Sequence, residues 1–384
     1  MTVQAGRRFT PDYTLRVNDK NVTANVKARL ISLTLTDNRG FEADQLDLVL
    51  DDADGTLALP VRGAAVILSL GWQGETLTEK GRFIVDEVAH HGVPDTLTIR
   101  ARSADFGGLL NQSHSESYHM KTLSDIVAQL AARNGLIPNV SKELANIGVG
   151  HIDQSNETDA QFMTRLATLF GAIAAIKAGQ LLFMPPGKGV TASGKAIMPL
   201  ALTRQEAKEY SFSIADRSNY SGVSATWLHT KDPTPHTLTM QRKPAAASSP
   251  TLTHPAAKKS ASDATQASGT PDADYLAGSR HNLLVLPKIY PDRATAMRAA
   301  KAKWEMLQRG TAEFSVTLAR GRADVYPETP VRVSGFKSVI DTQPWIIKKV
   351  THNLSAAGYT TKLDLEMDIS GREFSLESDS LKAK

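Results

Sequence analysis

The chain has 384 residues, a net charge of +4 and no cysteine. At about 100–200 residues per domain, this length predicts two to three domains. The lack of cysteine excludes disulfides, thiolate metal sites and a cysteine nucleophile, and the mild positive charge falls short of a dedicated nucleic-acid coat. We expect synthesis in the cytoplasm and no membrane binding, because the N-terminus lacks a signal-like apolar run and the most apolar stretch, residues 170–184, contains Lys177 and Gln180.

The first part of the chain alternates apolar and polar residues, which is typical of antiparallel strands with one buried face. Such runs occur at residues 31–36, 46–51 and 97–102, and turn signals separate them at residues 38–40, 54–55 and 92–94. We therefore predict a first β-barrel domain over residues 1–111.

The period changes to that of helices after Thr122. Thr122 can cap a helix that ends at Asn134-Gly135, and Thr158, with Gln161 three residues later, can cap a second helix that ends at Gly171. A hairpin follows over residues 173–184. Residues 112–200 are thus predicted to form a small α+β domain.

Residues 201–243 and 276–384 are predicted to form a second β-barrel domain that contains one helix. The helix runs over residues 292–309, with Asp292 as its N-cap and an apolar stripe that includes Met297 and Trp304. Between these two segments, residues 244–271 are rich in Ala, Ser, Thr, Pro and Lys and lack aromatic side chains. We expect residues 244–275 to be a flexible loop, because such a composition buries too little apolar surface to offset its ordering entropy.

An internal repeat relates the last strands to the first. Residues 83–90 align with residues 345–352, which places His90 opposite His352 and predicts a shared structural role for the two. Three further correspondences hold in the same order: residues 46–50 with 314–318, Gly71-Trp72 with Gly335-Phe336, and the strand from Thr96 with that from Thr360. The predicted fold is therefore mainly β, with two similar antiparallel barrels and an α+β insertion.

Several longer segments resemble the late control protein D family of temperate contractile-tailed phages. They are residues 35–46, 98–105, 151–157, 301–305, 309–314 and 334–337, which read LTDNRGFEADQL, TIRARSAD, HIDQSNE, KAKWE, RGTAEF and SGFK. The resemblance covers nearly the whole chain except the low-complexity loop, whose role it leaves open.

The resemblance implies a baseplate hub in the virion tail, similar in plan to the spike hubs of type VI secretion systems. It implies a homotrimer in which two barrels per chain adapt a six-fold tail tube to a three-fold spike. The implied partners are the trimeric spike and the tube protein, with tape-measure and wedge proteins as further candidates. DNA is expected only in transit through the central channel.

The short motifs do not indicate a chemical site. Residues 189–195 match most of a P-loop, but Ala196 stands where the magnesium-binding Ser or Thr is needed. Asp54-Gly55 is interpreted as a hairpin turn, since no glutamate completes a calcium loop. The ten histidines lack the spacing of a zinc helix, and Asp86 and Glu87 are predicted on opposite faces of one strand.

We therefore assign no catalytic, cofactor-binding or metal-binding residue, and interpret the chain as structural and not an enzyme. The leading alternative is a DNA-binding regulator of late phage genes, suggested by the pI and the basic residues of helix 292–309. The predicted helices near residues 123 and 159 lie too far apart for a helix-turn-helix. A second alternative, a cell-wall hydrolase, would require two acids across a cleft.

Overall fold

The computed structural model describes residues 9–103, 108–177, 179–187, 189, 195–214, 220–229, 232–242, 282–369 and 374–379. The chain divides into two compact units, Met1–Ile214 with Ala312–Ser370 and Ala215–Thr311 with Gly371–Lys384. None of the described helices has the length and apolarity needed to cross a bilayer.

The described chain is mainly β, as the sequence predicts. Its strands in chain order are β1 (Pro11–Val17), β2 (Lys20–Asn21), β3 (Leu30–Asn38), β4 (Gln45–Asp51), β5 (Ala65–Trp72), β6 (Thr78–His91), β7 (Thr96–Ser103), β8 (Ser113–Thr122), β9 (Ile137–Val140), β10 (Gly148–Thr158), β11 (Ile173–Lys177), β12 (Gln180–Met184), β13 (Leu200–Thr203), β14 (Ala207–Ile214), β15 (Gly222–His229), β16 (Asp232–Arg242), β17 (Leu283–Tyr290), β18 (Ala312–Leu318), β19 (Pro330–Ser334), β20 (Trp345–Ser355), β21 (Gly358–Met367) and β22 (Phe374–Asp379). The α-helices are α1 (Thr23–Lys27), α2 (Leu123–Arg133), α3 (Lys142–Ala145), α4 (Asp159–Phe170), α5 (Arg293–Arg309) and α6 (Ser338–Asp341), and short 3-10 helices span Gly108–Asn111 and Arg204–Glu206.

The first unit contains a 13-stranded sheet in the order β14-β18-β21-β20-β3-β4-β7-β6-β5-β1-β2, with β19 beside β20 and β13 beside β19. Its alternating apolar residues form one buried face, where Leu33, Leu46, Leu68 and Leu97 are fully buried. The sheet does not resolve into the two closed barrels that the sequence predicts: no closed barrel is found among the described strands. The two halves are instead joined edge to edge, because β3 pairs with β20.

Five strands recur in the same order in the two halves of this sheet. The first repeat is β3-β4-β7-β6-β5 and the second is β14-β18-β21-β20-β19, and every neighbouring pair in both is antiparallel. The residue pairs also correspond: Leu46 faces Ala101 in the first repeat, and Phe314 faces Leu365 in the second. The internal repeat predicted from the sequence is therefore confirmed in strand order and in register.

Irregular features of the backbone are duplicated as well. A bulge in β6 after Val85 recurs in β20 after Ile347, and one in β3 after Leu30 recurs in β14 after Ala207. Just before β5 and β19, the N–H of Gly63 donates to Val85 O and the N–H of Glu328 donates to Ile347 O, each at 2.8 Å and each from a residue with positive φ. Because bulges fix the register and twist of a sheet, their repetition marks two copies of one backbone unit.

The turn at Asp54-Gly55 corrects one interpretation. Gly55 has φ +63° and its N–H donates to Asp52 O at 2.8 Å, so a turn forms. It does not close a hairpin, since β4 pairs with β3 and β7 while β5 pairs with β1 and β6. The turn lets the chain cross from one part of the sheet to another, a connection that local alternation does not indicate.

Residues 110–183 carry a second, separate hydrophobic cluster in the first unit. Helices α2 and α4 pack in this cluster with a β8–β10 pair and a β11-β12-β9 sheet. The predicted capping box of Thr158 with Gln161 is present, Thr122 caps α2 as predicted and forms a box with Asp125, and Gly171 ends α4 in the left-handed conformation. The two predicted helices and the hairpin of residues 173–184 are confirmed.

The second unit contains a four-stranded sheet in the order β17-β15-β16-β22, together with α5. The predicted helix is confirmed: the Asp292 carboxylate accepts from Thr295 N at 2.8 Å, and Gly310 follows the last turn. Its buried face consists mainly of alanines with Trp304, whereas Met297 is only partly buried. The predicted loop of residues 244–275 lies outside the described residues.

Candidate assembly interface

The joint between the two repeats is formed by seven antiparallel residue pairs between β3 and β20. Leu33 and Leu35 of β3 and Leu354 of β20 are buried there. On the opposite face, Thr34 Oγ1 contacts Asn353 Oδ1 at 3.2 Å. The joint is therefore a strand-addition interface with one apolar face and one polar face.

His352 lies at the centre of this joint and is fully buried. Its Nδ1 is 3.0 Å from the Tyr359 hydroxyl and 3.1 Å from Thr361 Oγ1. Burial holds the pKa of His352 well below its ordinary value, and the charge of Lys80 adds to this effect. We therefore interpret His352 as a neutral packing residue of the core.

His90 occupies the equivalent position in the first repeat, as the sequence alignment predicts. The predicted shared role is wrong for the single chain, because the His90 side chain is 41% exposed and its Nε2 lies 3.2 Å from Asp52 Oδ2. The difference has a physical cause: Leu35 of β3 faces His352, whereas no described strand faces His90 on that edge of β6.

The segment between β18 and β19 forms a second contact between the repeats. Trp72 Nε1 donates to Gly321 O at 2.9 Å, and its ring packs against Tyr359 at 5.5 Å between centroids. Lys80 Nζ donates to Ala323 O and Val325 O, each at 3.2 Å. Burial lowers the pKa of Lys80 to about 8 despite the nearby carboxylate of Asp37.

Two groups of buried charges stabilise the same region. Arg39, at the end of β3, pairs with both Glu328 and Glu366 of the second repeat. Lys177, at the end of β11, pairs with Asp37 at 2.8 Å and Asp44 at 2.6 Å, which attaches the α+β segment to the first repeat. Sequence reasoning missed both groups, because no local pattern indicates partners that lie over 130 residues away.

Several strand edges of the sheet have no partner among the described strands, and two of them belong to strands of the repeated unit. One is the outer edge of β14, and the other is the edge of β6 beyond Asp86, where β5 has already ended its pairing. The apolar side chains Tyr210 and Ile214 of β14 are 41% and 40% exposed. Sequence reasoning also missed β14, although Tyr210, Phe212 and Ile214 alternate with serines in the pattern of a strand.

A shallow charged cleft lies on the polar face of the first repeat. It is lined by Gln45, Asp47, Asp86, Glu87, Arg100 and Arg102. Asp86 pairs with Arg102 and Glu87 with Arg100, each at 2.8 Å. The prediction that Asp86 and Glu87 lie on opposite faces is wrong, because the bulge after Val85 resets the alternation and brings both into the cleft.

The remaining motifs end in local structural contacts. The centre of the P-loop-like segment, residues 190–194, lies outside the described residues. In the predicted turn, Arg29 donates a hydrogen bond to the carboxylate of Asp54. This bond holds the pKa of Asp54 well below its ordinary range. His119 stacks on His151, and within the described part of the chain no three His, Asp or Glu side chains form a metal-binding group.

The helices offer no helix-turn-helix among the described residues, since β9, α3 and β10 separate α2 from α4. In α5, Lys301 lies 3.7 Å from Glu305 one turn later. Thus part of the basic character of α5 is balanced by an acidic neighbour on the same helix.

The first unit contains two copies of one β-unit, and its charged side chains form ion pairs within the chain. Strand edges that no described strand covers are sites where another chain can add a strand. These features define the class of assembly proteins. The model of the phage tail baseplate hub family (GPD) matches residues 38–358, so the chain belongs to that family. A relative named "Probable baseplate hub protein" from Escherichia phage 186 is 54% identical over 99% of this chain and 98% of its own length. The resemblance noted in the sequence is confirmed.

Solved structures show a similar fold. A tail protein from Neisseria meningitidis MC58 superposes with a TM-score of 0.63 at 16% identity, covering 94% of this chain and 97% of its own. A chain of the Francisella PdpA–VgrG complex covers 99% of this chain and 56% of its own length, with a TM-score of 0.51 at 12% identity. At these identities the likeness shows the fold alone.

Proposed function

We propose that this baseplate hub protein assembles as a trimer that joins the tube of a contractile tail to its spike. The observation that carries the proposal is the repeated five-strand unit, which includes matching bulges. A three-fold assembly can present a nearly six-fold face only if each chain supplies two similar units. The two repeats of each chain are those units, so three chains supply six.

We further propose that the two repeats act as barrel-like units of the ring, one within residues 1–111 and the other within residues 201–243 and 276–384. Residues 112–200 form a separate α+β domain beside the ring, which agrees with its separate hydrophobic cluster. Its position suits contacts with wedge proteins, while the spike and tube contact the ring itself. The channel admits the tape-measure protein and DNA in transit.

The proposed role is mechanical and not catalytic. The charged cleft on the first repeat is the described site that most resembles an acid pair, and each of its acids already pairs with an arginine. These pairs support structure on the polar face of the sheet.

The test is the mass of the purified full chain in solution, alone and after co-expression with the spike of the same tail. Light scattering coupled to size exclusion should give, for the spike-bound complex, the mass of the spike plus three times the 41.5 kDa chain mass. A spike-bound complex that contains one, two or six hub chains would contradict the proposal.

A further inference from the structure

The joint between β3 and β20 shows how one repeat adds to the next within a chain. Its two strands have equivalents: β14 corresponds to β3, and β6 corresponds to β20. Within its own repeat, β14 pairs with β18 as β3 pairs with β4, and β6 pairs with β7 as β20 pairs with β21. The bulge in each pair lies at the equivalent position. Neither β14 nor β6 has the partner that would complete a second joint among the described strands of the same chain.

Side chains on the free strand edges are more exposed than the equivalent side chains on the paired edges. On β3, Leu33, Leu35 and Asp37 are buried, each less than 10% exposed. Their equivalents on β14 are Tyr210, Phe212 and Ile214, and Tyr210 and Ile214 remain about two-fifths exposed. The second repeat thus presents apolar side chains at positions that require cover.

The same contrast holds on the partner strand. Val350 and His352 of β20 are fully buried at the joint, whereas their equivalents Val88 and His90 of β6 are partly buried and exposed. An exposed edge with apolar side chains favours the addition of another strand. Both halves of a joint are therefore present in one chain, at opposite ends of the repeated unit.

We propose that β14 of one chain adds antiparallel to the free edge of β6 in the next chain, in the register that β3 and β20 adopt within the chain. This inference rests on the trimer proposed above and specifies its interface. The expected residue pairs are Val88 with Ile214, Ala89 with Ser213, His90 with Phe212, and His91 with Ser211. A head-to-tail contact of this kind can close into a ring, and in the trimer proposed above it gives the ring six joints of one kind.

The chain itself favours a second copy as the occupant of these edges. The edge of β6 and the edge of β14 have the backbone geometry of a joint that already forms in the molecule, and their side chains are complementary in the same way. Apolar residues of β14 meet Val88 and His90 on one face, while Ser211 and Ser213 meet His91 and Ala89 on the other. A one-residue slip would move the apolar set to the polar face, so the register is specified.

Paired cysteines test this register, since the chain has no cysteine of its own. Ala89→Cys combined with Ser213→Cys should form a disulfide between chains, because facing residues of antiparallel strands lie within the Cα range of about 4.4–6.8 Å that disulfides span. Ala89→Cys combined with Glu209→Cys is the matched control, four residues out of register. Thr36→Cys with Thr351→Cys is the reference within the chain.

The variants are oxidised in assembled tail particles and separated on denaturing gels without reductant. The register pair should give dimers and trimers of the chain with the trimer as the largest species, and the control should stay monomeric. Monomer alone, equal ladders in both variants, a ladder beyond three, or a bridge to a band of another mass would overturn the proposal.

The mass measurement separates this inference from the proposed function. A trimeric hub in which the register pair does not bridge would reject the β14–β6 joint and keep the trimer. A hub of any other size would reject both. Each single-cysteine variant must assemble tails, which shows that a missing bridge does not reflect a folding failure.

Discussion

His90 and His352 show how one residue type at one repeat position acquires two environments. Sequence comparison aligned them correctly, because the strands around them repeat. The strand that covers His352 comes from elsewhere in the chain, and no described strand covers His90. A residue's burial therefore depends on the neighbouring strand, which the local sequence does not encode.

The buried histidine should make stability sensitive to acid. Burial keeps the pKa of His352 well below 6.5 in the folded state, so the unfolded chain binds a proton first as the pH falls. The free energy of unfolding therefore has its full contribution from the neutral His352 above about pH 6.5. Acidification from pH 6.5 to pH 5 lowers the free energy of unfolding by about 1–2 kcal/mol. Urea unfolding of the wild type and of His352→Gln across this range should show a shallower loss in the variant.

His90→Gln is the control for this measurement, since it removes an exposed histidine from the equivalent position. Equal slopes for wild type and His352→Gln would show that His352 does not carry the acid sensitivity.

The helical elements were the most predictable part of the fold. Thr122 and Thr158 begin α2 and α4 with full capping boxes, and Asp292 begins α5. Their signals lie within one turn of the chain, so they need no knowledge of tertiary contacts. Many strands were predictable in existence, although β14 was missed, whereas their pairing was not: β4 and β5 follow one another in the chain but do not pair with each other.

The cap at Thr158 should contribute measurably to stability. Thr158 Oγ1 accepts from Gln161 N at 3.1 Å, and Thr158 N donates to Gln161 Oε1 at 3.0 Å. Thr158→Ala should lower the free energy of unfolding by about 1 kcal/mol. Thermal or urea unfolding measures the change.

Thr164→Ala provides the comparison within the same helix. Thr164 is exposed, and its hydroxyl donates back to Ala160 O at 2.8 Å, a contact that favours the helix little. Its replacement should change stability by less than about 0.5 kcal/mol. If Thr164→Ala were as costly as Thr158→Ala, the effect would reflect helix composition and not the cap.

For the whole molecule, the two repeats share a backbone but differ in the charges on their polar faces. Arg100 and Glu87 of the first repeat correspond to Asp364 and Lys349 of the second, so the signs are exchanged. The two units are thus similar in register and distinct in surface. A ring built from them keeps three-fold symmetry, because the alternating units are not interchangeable.

Assembly should protect β14 from solvent exchange. In the free chain its outer edge has no described strand partner, and in the proposed ring β6 of the next chain pairs with it. Hydrogen exchange of residues 211–214 should slow by about tenfold or more on trimer formation, which corresponds to about 1.4 kcal/mol of opening free energy. Mass spectrometry of the free chain and of the spike-bound complex measures this difference.

Strand β3 is the internal reference for that experiment, since it is paired on both sides within the chain. Its exchange should be slow in both states. Unchanged exchange of β14 in a confirmed trimer would contradict the proposed joint.

The sequence alone determined where the three longest helices and many of the strands form, that one strand unit occurs twice, and which family the chain resembles. These properties depend on local periodicity, on capping residues and on similarity along the chain. The tertiary structure decided which strands pair, and so it joined the repeats at β3 and β20, with no closed barrel among the described strands. It also placed Asp86 beside Glu87 through a bulge, brought Arg39 and Lys177 to distant carboxylates, and left β14 and β6 with free edges. Strand pairing and buried charge depend on contacts between residues far apart in the chain, which is why no local pattern could indicate them.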